Sequence, residues 1–115
     1  MQYMLMIYGD EGAMQARSKE EIDRVVGAFM AYTDAMKTAG VLVGSNRLRP
    51  ASTATIVRIA DGKTQVLNGP YAETREQLGG YYLIEAPDLD AALSWASRCP
   101  GATYGTIEVR PVWAM

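Results

Sequence analysis

Two short segments that are apolar at nearly every position constrain the fold most strongly. Residues 3–8 read YMLMIY and residues 81–84 read YYLI. Because successive side chains of a strand point to opposite faces, a short run that is apolar throughout predicts a strand buried on both faces. We therefore expect both segments to lie in the centre of a sheet, with something covering each side of it.

Two helices are predicted between and after these strands. Ser18 and Glu21 form a capping box, and apolar residues then recur at helical spacing until Gly40, the natural residue to end the helix. Asp88 can cap a second amphipathic helix, which the sequence CPG at residues 99–101 ends. Both helices should place one apolar stripe on the sheet.

The remaining strands form a hairpin and a closing strand. Residues 53–59 are rich in β-branched side chains, Asp61 and Gly62 are typical of a tight turn, and residues 64–67 supply the returning strand. Residues 106–110 alternate polar and apolar side chains, which indicates a strand that closes the fold.

Residues 41–50 are mostly polar and predict a connection rather than a strand. They contain Arg47 and Arg49, the closest pair of arginines in the chain. Two arginines can hold a carboxylate or phosphate in bidentate fashion, and solvated loop arginines are the alternative.

The order strand, long helix, hairpin, strand, helix, strand favours a single α+β domain over residues 1–115. It suits a split βαβ arrangement of ferredoxin-like type with an extra hairpin strand, in which both helices lie on one face of an antiparallel sheet. The other face would then expose an apolar patch larger than monomers usually carry. We therefore expect a homodimer joined sheet to sheet, with a cleft near the interface.

The composition excludes several classes of function. A net charge of −2 without any basic cluster argues against nucleic acid as a partner. No apolar run reaches the length of a membrane span, so we expect a cytoplasmic protein without a membrane partner. The chain has no histidine, and Cys99 is its one cysteine, expected to be a packed side chain at a helix end. We expect no metal site and no cofactor site, and any chemistry must use carboxylates, Tyr, Arg, Lys or Cys99, unless a cofactor is bound.

The connection after the hairpin is the most polar stretch with defined geometry. The sequence NGP at residues 68–70 predicts a sharp turn, because Asn and Gly tolerate positive φ and proline restricts the residue before it. Glu73, Arg75 and Glu76 then place three charges within four residues, ahead of two glycines at residues 79–80. This pattern is compatible with a polar site and with an ordinary solvated connection.

A small-molecule pocket beside the sheet-to-sheet interface would need a carboxylate to move a proton, an arginine to hold an anion and aromatic walls. The candidates are Glu73 as catalytic residue and Tyr8, Arg58, Asn68, Tyr71 and Tyr81 as binding residues. Arg58 is the most informative, because a charge on the apolar face of a strand needs a partner. The alternatives are core or interface tyrosines, and an ion pair of Glu73 with Arg58 or Arg75 that has no catalytic role.

These residues also resemble a known family, the YCII-related proteins, and within it the branch named for a DGPF motif. The resemblance is carried by YMLMIY (3–8), DGK (61–63), NGPYAETRE (68–76), LGGYY (78–82), LDAAL (89–93) and IEVRPV (107–112). It implies a dimeric α/β barrel of ferredoxin-like subunits, with no agreed activity for this branch. It also implies that some members occur beside or fused to sigma-factor-like regulators, and that a related dehydrochlorinase uses a His and Asp pair.

The chain departs from the family pattern in two places. It has Asn68-Gly69-Pro70-Tyr71 where the motif reads Asp-Gly-Pro-Phe, and it has no histidine. An amide cannot act as a general acid or base, so we hypothesise that Asn68 closes a turn on its own backbone. Asn68→Asp should then leave stability and activity within a factor of a few.

Two functions follow from these observations. One is a metal-free enzyme that acts on small organic acids in a pocket near the dimer interface. The alternative is a non-catalytic dimeric module that binds a ligand or a partner protein in a regulatory circuit, because no nucleophile with its base and no phosphate-binding glycine loop is present. A concave pocket would favour a ligand site, and a flat apolar surface a protein partner.

Overall fold

The computed structural model describes residues 1–114 and shows a four-stranded antiparallel sheet with helices on one face and a separate β-hairpin. The elements in chain order are β1 (Gln2–Gly9), α1 (Glu11–Gln15), α2 (Lys19–Thr38), β2 (Leu42–Arg47), a 3-10 helix (Ala51–Thr53), β3 (Thr55–Ala60), β4 (Lys63–Asn68), β5 (Gln77–Glu85), α3 (Leu89–Arg98), α4 (Gly101–Tyr104) and β6 (Thr106–Pro111).

The strand order of the large sheet is β2-β5-β1-β6, and every neighbouring pair is antiparallel. The two segments predicted to be central strands are β1 and β5, which do occupy the centre. This order, with α2 between β1 and β2 and α3 between β5 and β6, is that of a split βαβ fold. The predicted α+β class is therefore confirmed.

The prediction that residues 41–50 form only a connection is wrong. Residues Leu42–Arg47 form the edge strand β2, which pairs with β5, with a register shift between Leu42 and Gly44. An edge strand has one neighbour and exposes most of its side chains, so a polar composition does not prevent pairing. The hairpin of β3 and β4 pairs only with itself and forms a second, two-stranded sheet.

Both long helices begin and end where their capping residues predict. The Ser18 hydroxyl accepts a hydrogen bond from the Glu21 amide at 3.2 Å at the start of α2. Gly40 follows the helix with a φ of +74°, a conformation that glycine adopts without a steric penalty. The Asp88 carboxylate accepts from the Ala91 amide at 2.8 Å at the start of α3.

The core lies between the helices and one face of the sheet. It consists of Tyr3, Leu5, Tyr32, Met36, Tyr82, Ile84, Ala86, Ala92, Ala96 and Cys99. The hydroxyl groups of the two inner tyrosines are satisfied: Tyr32 donates to the Trp95 carbonyl at 2.7 Å, and Tyr82 shares a hydrogen bond of 2.8 Å with Thr33. Burial raises the pKa of Tyr32, Tyr82 and Cys99 above their ordinary values. Cys99 is the packed side chain that its position predicted.

The opposite face of the sheet carries a second set of large side chains. Its members, which we call the open face, are Met4, Met6 and Tyr8 of β1, Leu78, Tyr81 and Leu83 of β5, and Thr106, Glu108 and Arg110 of β6. The molecule measures 48 × 44 × 18 Å, and 18 Å accommodates roughly one sheet and one helical layer. In the described part of the chain, the open face therefore has no helical layer of its own. None of the helices within residues 1–114 is long and apolar enough to cross a membrane.

We predict that Leu5→Ala lowers the free energy of unfolding by about 2–5 kcal/mol, because Leu5 is 0 % exposed and its removal leaves a cavity. The matched control is Leu89→Ala in the first turn of α3, where the side chain is half-exposed and the change should be under about 1 kcal/mol. Urea denaturation followed by circular dichroism measures both. Equal losses from the two variants would contradict the assignment of the core.

Candidate functional site

A cleft of about 750 Å³ lies where β1 ends and α1 begins, and it is open to solvent. Its walls come from four places in the chain: the β1–α1 junction, the connection before β5, α4 and the start of β6. The lining residues are Tyr8, Asp10, Ala13, Thr74, Arg75, Glu76, Tyr104 and Thr106. The register of β1 against β5 shifts between Ile7 and Tyr8, next to the cleft, and such an irregularity re-aims the side chain that follows it.

Asp10 joins two walls of the cleft. One carboxylate oxygen accepts from the Ala13 amide at 3.0 Å and caps α1, and the other accepts from Arg75 Nε at 3.4 Å. The hydrogen bond from Ala13 and then the one from Arg75 lower the pKa of Asp10 below its ordinary value, so the side chain is a carboxylate at neutral pH.

Arg75 is well placed to bind an anion. Its side chain is 90 % exposed, and its contact with Asp10 uses Nε. Among residues 1–114 the guanidinium has no other ion-pair partner. The two terminal nitrogens can therefore donate to a carboxylate or phenolate in the cleft.

Glu76 is held by its neighbours at the start of β5. The Thr106 hydroxyl donates to the Glu76 carboxylate at 2.7 Å, and the Thr74 hydroxyl donates to the Glu76 carbonyl. The side-chain amide of Gln77 donates through Nε2 to the carbonyls of Ala72 and Thr74 at 3.3 and 2.8 Å. These bonds connect Thr74, Glu76 and Gln77 to one another and to β6, which restrains the Glu76 carboxylate.

Two tyrosines supply the aromatic surface of the cleft. Tyr8 lies next to the last residue of β1, and Tyr104 is the last residue of α4. The Arg17 guanidinium lies 4.3 Å from the centre of the Tyr104 ring, a cation–π contact that restrains the ring. Within residues 1–114, no three His, Cys, Asp or Glu side chains come together in a way that could hold a metal ion.

The structure brings one of the six sequence-predicted residues, Tyr8, into the cleft lining. Glu73 and Tyr71 are exposed in the same connection and do not line the cleft, and Arg75 pairs with Asp10 rather than with Glu73. Asn68 ends β4, and the turn after it is closed by the backbone, because the Gly69 amide donates to the Ala54 carbonyl at 2.7 Å.

Gly69 itself is required at this turn. A Cβ atom there would lie 2.8 Å from the Cβ of Ala54, closer than two side chains can approach. No hydrogen bond from the Asn68 side chain is found within residues 1–114. The close approach of the two chain segments at the hairpin base therefore explains the glycine, while the role expected for the Asn68 side chain stays a prediction.

Arg58 and Tyr81 lie on other surfaces. Arg58 is exposed in the middle of the hairpin, where it is opposite Gln65 and on the same face as Lys63. Arg58 shares its face of the hairpin with Ile56, as expected, and also with Ala60 and Leu67, but its own side chain is exposed, and its role as a binding residue stays a prediction. Tyr81 lies on the open face, and its hydroxyl accepts from the Asn46 side-chain amide at 2.9 Å.

Sequence reasoning missed Asp10, Tyr104 and Thr106 as site residues. The signal for Asp10 was present, since an Asp directly before a short helix is a typical N-cap. Tyr104 and Thr106 carry no local signal, because their place in the cleft depends on how β6 pairs with β1.

The strand order, the single helical layer and the open cleft at one end of the sheet define a ferredoxin-like α+β protein with a candidate ligand site. The model of the YCII-related domain matches residues 1–115, and the chain belongs to this family. It is 41 % identical over 114 residues to the uncharacterized protein R00369 of Rhizobium meliloti (strain 1021), covering 97 % of this chain and 92 % of that protein.

A solved structure shares the fold. It is 5-chloro-2-hydroxyhydroquinone dehydrochlorinase (TftG) from Burkholderia phenoliruptrix AC1100 in complex with 2,5-dihydroxybenzoquinone. The TM-score is 0.59 and the identity 16 %, and the match covers 98 % of this chain and 94 % of that chain. At this identity the likeness establishes a common fold.

We predict that Arg75→Met raises the pKa of Asp10 but leaves it below its ordinary value of 3.8, because the larger contribution, the Ala13 amide, remains. Because the pKa of Asp10 is lower in the folded than in the unfolded state, its carboxylate stabilises the fold at pH values above the unfolded-state pKa. This stabilisation is lost as the pH falls through the folded-state pKa. NMR titration of the side-chain carboxyl carbon measures the shift. Arg49→Met is the control, and an equal shift there, or none with Arg75→Met, would contradict the ion pair.

Proposed function

We propose that this protein binds a small, planar, oxygen-rich organic molecule in the cleft. The observation that carries the proposal is the convergence of one exposed guanidinium, two restrained carboxylates and two tyrosine rings on a single cavity of about 750 Å³. A cavity of this volume lies within the range of small-molecule sites, which combine mainly apolar walls with a few placed polar groups.

Each group has a distinct part in this proposal. Arg75 pairs with a carboxylate or phenolate of the ligand, and Tyr8 and Tyr104 contact its flat surface. The Glu76 carboxylate accepts from Thr106 through one oxygen and can accept a hydroxyl proton of the ligand through the other. In this proposal Glu76 takes the role expected for Glu73, which stays a candidate in the same connection, outside the cleft lining.

The common fold with TftG supports the choice of ligand class. The ligand named for that structure, 2,5-dihydroxybenzoquinone, is flat and carries oxygens on opposite sides of one ring. A molecule of this kind matches a cleft with aromatic walls and a cation at one side. It is therefore the first probe to test on this chain, together with 2,5-dihydroxybenzoate as a carboxylate-bearing relative.

Binding and catalysis are separate parts of the proposal. A metal-free reaction on a small organic acid would use Glu76 or Glu73 as the proton acceptor, since the chain has no histidine. A non-catalytic ligand-binding module would use the same cleft without turnover. Glu76→Gln and Glu73→Gln, assayed side by side for product formation and for binding, distinguish the two functions and the two carboxylates.

We predict that Arg75→Met weakens binding of 2,5-dihydroxybenzoate by about ten- to a hundredfold, because a charge-assisted hydrogen bond is lost. Isothermal titration calorimetry measures the affinity. Arg49→Met removes a loop arginine that does not line the cleft, and it should bind as the unchanged protein does. Binding that survives in Arg75→Met, or no binding of either probe to the unchanged protein, would contradict the proposed site.

We further propose that two copies associate through their open faces. One support is the large apolar side chains of that face, Met4, Met6 and Leu83. The other is the thickness of the molecule: 18 Å accommodates the sheet and one helical layer, so no second layer within residues 1–114 covers the open face. Such an interface is isologous, since each copy contributes the same surface.

Leu83→Arg should convert a dimer at micromolar concentration into monomers, because it buries a charge at the centre of the interface. Ser94→Arg, on the exposed side of α3, is the control and should leave the dimer intact. Sedimentation equilibrium measures the mass, and circular dichroism verifies that both variants are folded. An unchanged protein that is monomeric at micromolar concentration would refute the assembly.

A further inference from the structure

The hairpin of β3 and β4, residues 55–68, extends from the domain as an arm. It turns at Asp61 and Gly62, whose φ values are +51° and +75°, and its strands pair with each other and with no strand of the large sheet. The base of the arm is fixed: the Gly69 amide donates to the Ala54 carbonyl at 2.7 Å. The Ala51 amide just before it donates to both carboxylate oxygens of Glu11, at 2.9 and 3.1 Å.

The arm has one uncharged face and one charged face. The uncharged face consists of Thr55, Val57, Ile59, Thr64, Val66 and Asn68. Its three aliphatic side chains, Val57, Ile59 and Val66, are 64, 72 and 64 % exposed. Arg58 and Lys63 lie on the other face with Gln65, and the apolar side chains there, Ile56, Ala60 and Leu67, are less exposed than those of the uncharged face. A two-stranded hairpin is at best marginally stable alone in water, so an ordered arm with this pattern indicates a partner for its uncharged face.

The surface area of the chain points to the size of that partner's contact. The accessible surface is 8096 Å², whereas a compact monomer of 12.5 kDa exposes roughly 6,200 Å². The radius of gyration is 16.1 Å, against about 13 Å for a compact domain of this length. The excess of roughly 1,900 Å² per chain lies within the roughly 1,000–2,500 Å² that each subunit of an obligate homodimer buries.

We propose that in the homodimer the arm of each subunit crosses to its partner and packs its uncharged face on the partner's open face beside the cleft. The inference rests on the proposed cleft and deepens it, because the partner's arm then forms one wall of each cleft. Two clefts, each shared between the subunits, would replace the solvent-open cavity of the single chain.

The occupant is a second copy of this chain, for two reasons. First, the molecule is 18 Å thick, so the arm extends beside its own sheet and does not fold over its own open face. Second, the surfaces match in character: the arm presents Val57, Ile59 and Val66, and the end of the open face beside the cleft presents Tyr8, Leu78 and Thr106. None of these six side chains carries a charge that the contact would leave unpaired, and Met4, Met6 and Leu83 remain for the contact between the two open faces.

The arm reaches the cleft because the two surfaces share residues. Tyr8 and Thr106 belong both to the open face and to the cleft lining. Any chain packed on that end of the open face therefore also borders the cleft. Ligand sites bury most of the surface of a small ligand, whereas the cleft of a single chain is open to solvent. A wall supplied by the partner's arm would enclose the ligand more completely.

The test compares two neighbouring substitutions of the same kind in β4. Val66→Asp introduces a carboxylate on the uncharged face of the arm, and Gln65→Asp introduces one on the charged face, opposite Arg58. We expect Val66→Asp to weaken dimerisation by about 30-fold or more, the effect of a central interface residue, and Gln65→Asp to leave it unchanged. Sedimentation equilibrium measures both, and 2,5-dihydroxybenzoquinone titrations should show weaker binding for Val66→Asp alone.

A second variant keeps the proposal testable if Val66→Asp aggregates. Residues 55–68 are replaced by two glycines, which join Ala54 to Gly69 where the two already share a hydrogen bond. This variant should fold, as seen by circular dichroism, and should dimerise as weakly as Val66→Asp. Dimerisation equal to that of the unchanged protein, in either variant, would overturn the arm contact. Absence of ligand binding to the unchanged protein would refute the proposed function while leaving the arm contact to be judged by association alone.

Discussion

The packing of both long helices on one face of the sheet is the constraint on which the rest of the structure depends. In β1 and β5, the fully buried Leu5 and Ile84 alternate with Met4 and Leu83, which point to the other side. Because strand side chains alternate, the two strands that build the core also carry a second hydrophobic surface. Within residues 1–114 no third layer covers this surface, and this fact motivates both the proposed dimer and the proposed role of the arm.

The cleft depends on a second, electrostatic link. The Asp10 carboxylate caps α1 and binds Arg75, and the neighbouring Glu11 accepts from the Ala51 amide at the base of the arm. Two consecutive acidic residues thereby connect the end of β1 with both ends of the hairpin insertion. Exposed ion pairs add little to stability, so their importance here is geometric: they place Arg75 at the cleft.

Much of the fold could be predicted because its signals are local. The cap at Ser18, the positive φ at Gly40 and the turn at Asp61 depend on residues within a few positions of one another. The family resemblance was also visible, since its motifs are contiguous segments, and the family match over the whole chain confirms it. The strand β2 was missed because an edge strand needs no hydrophobic pattern, and its pairing with β5 is stabilised by backbone hydrogen bonds that any residue can make.

By itself, the sequence determined the α+β class, the two central strands, the boundaries of the two long helices and the family, because periodicity and capping act over a few residues; the short helices α1 and α4 were not predicted. Only the tertiary structure decided which polar groups meet. Tyr8, Arg75 and Tyr104 come from distant segments, and their convergence depends on strand register and on the shift beside Tyr8. Those are properties of pairing between strands, and one displaced residue in the register would point each side chain to the opposite face.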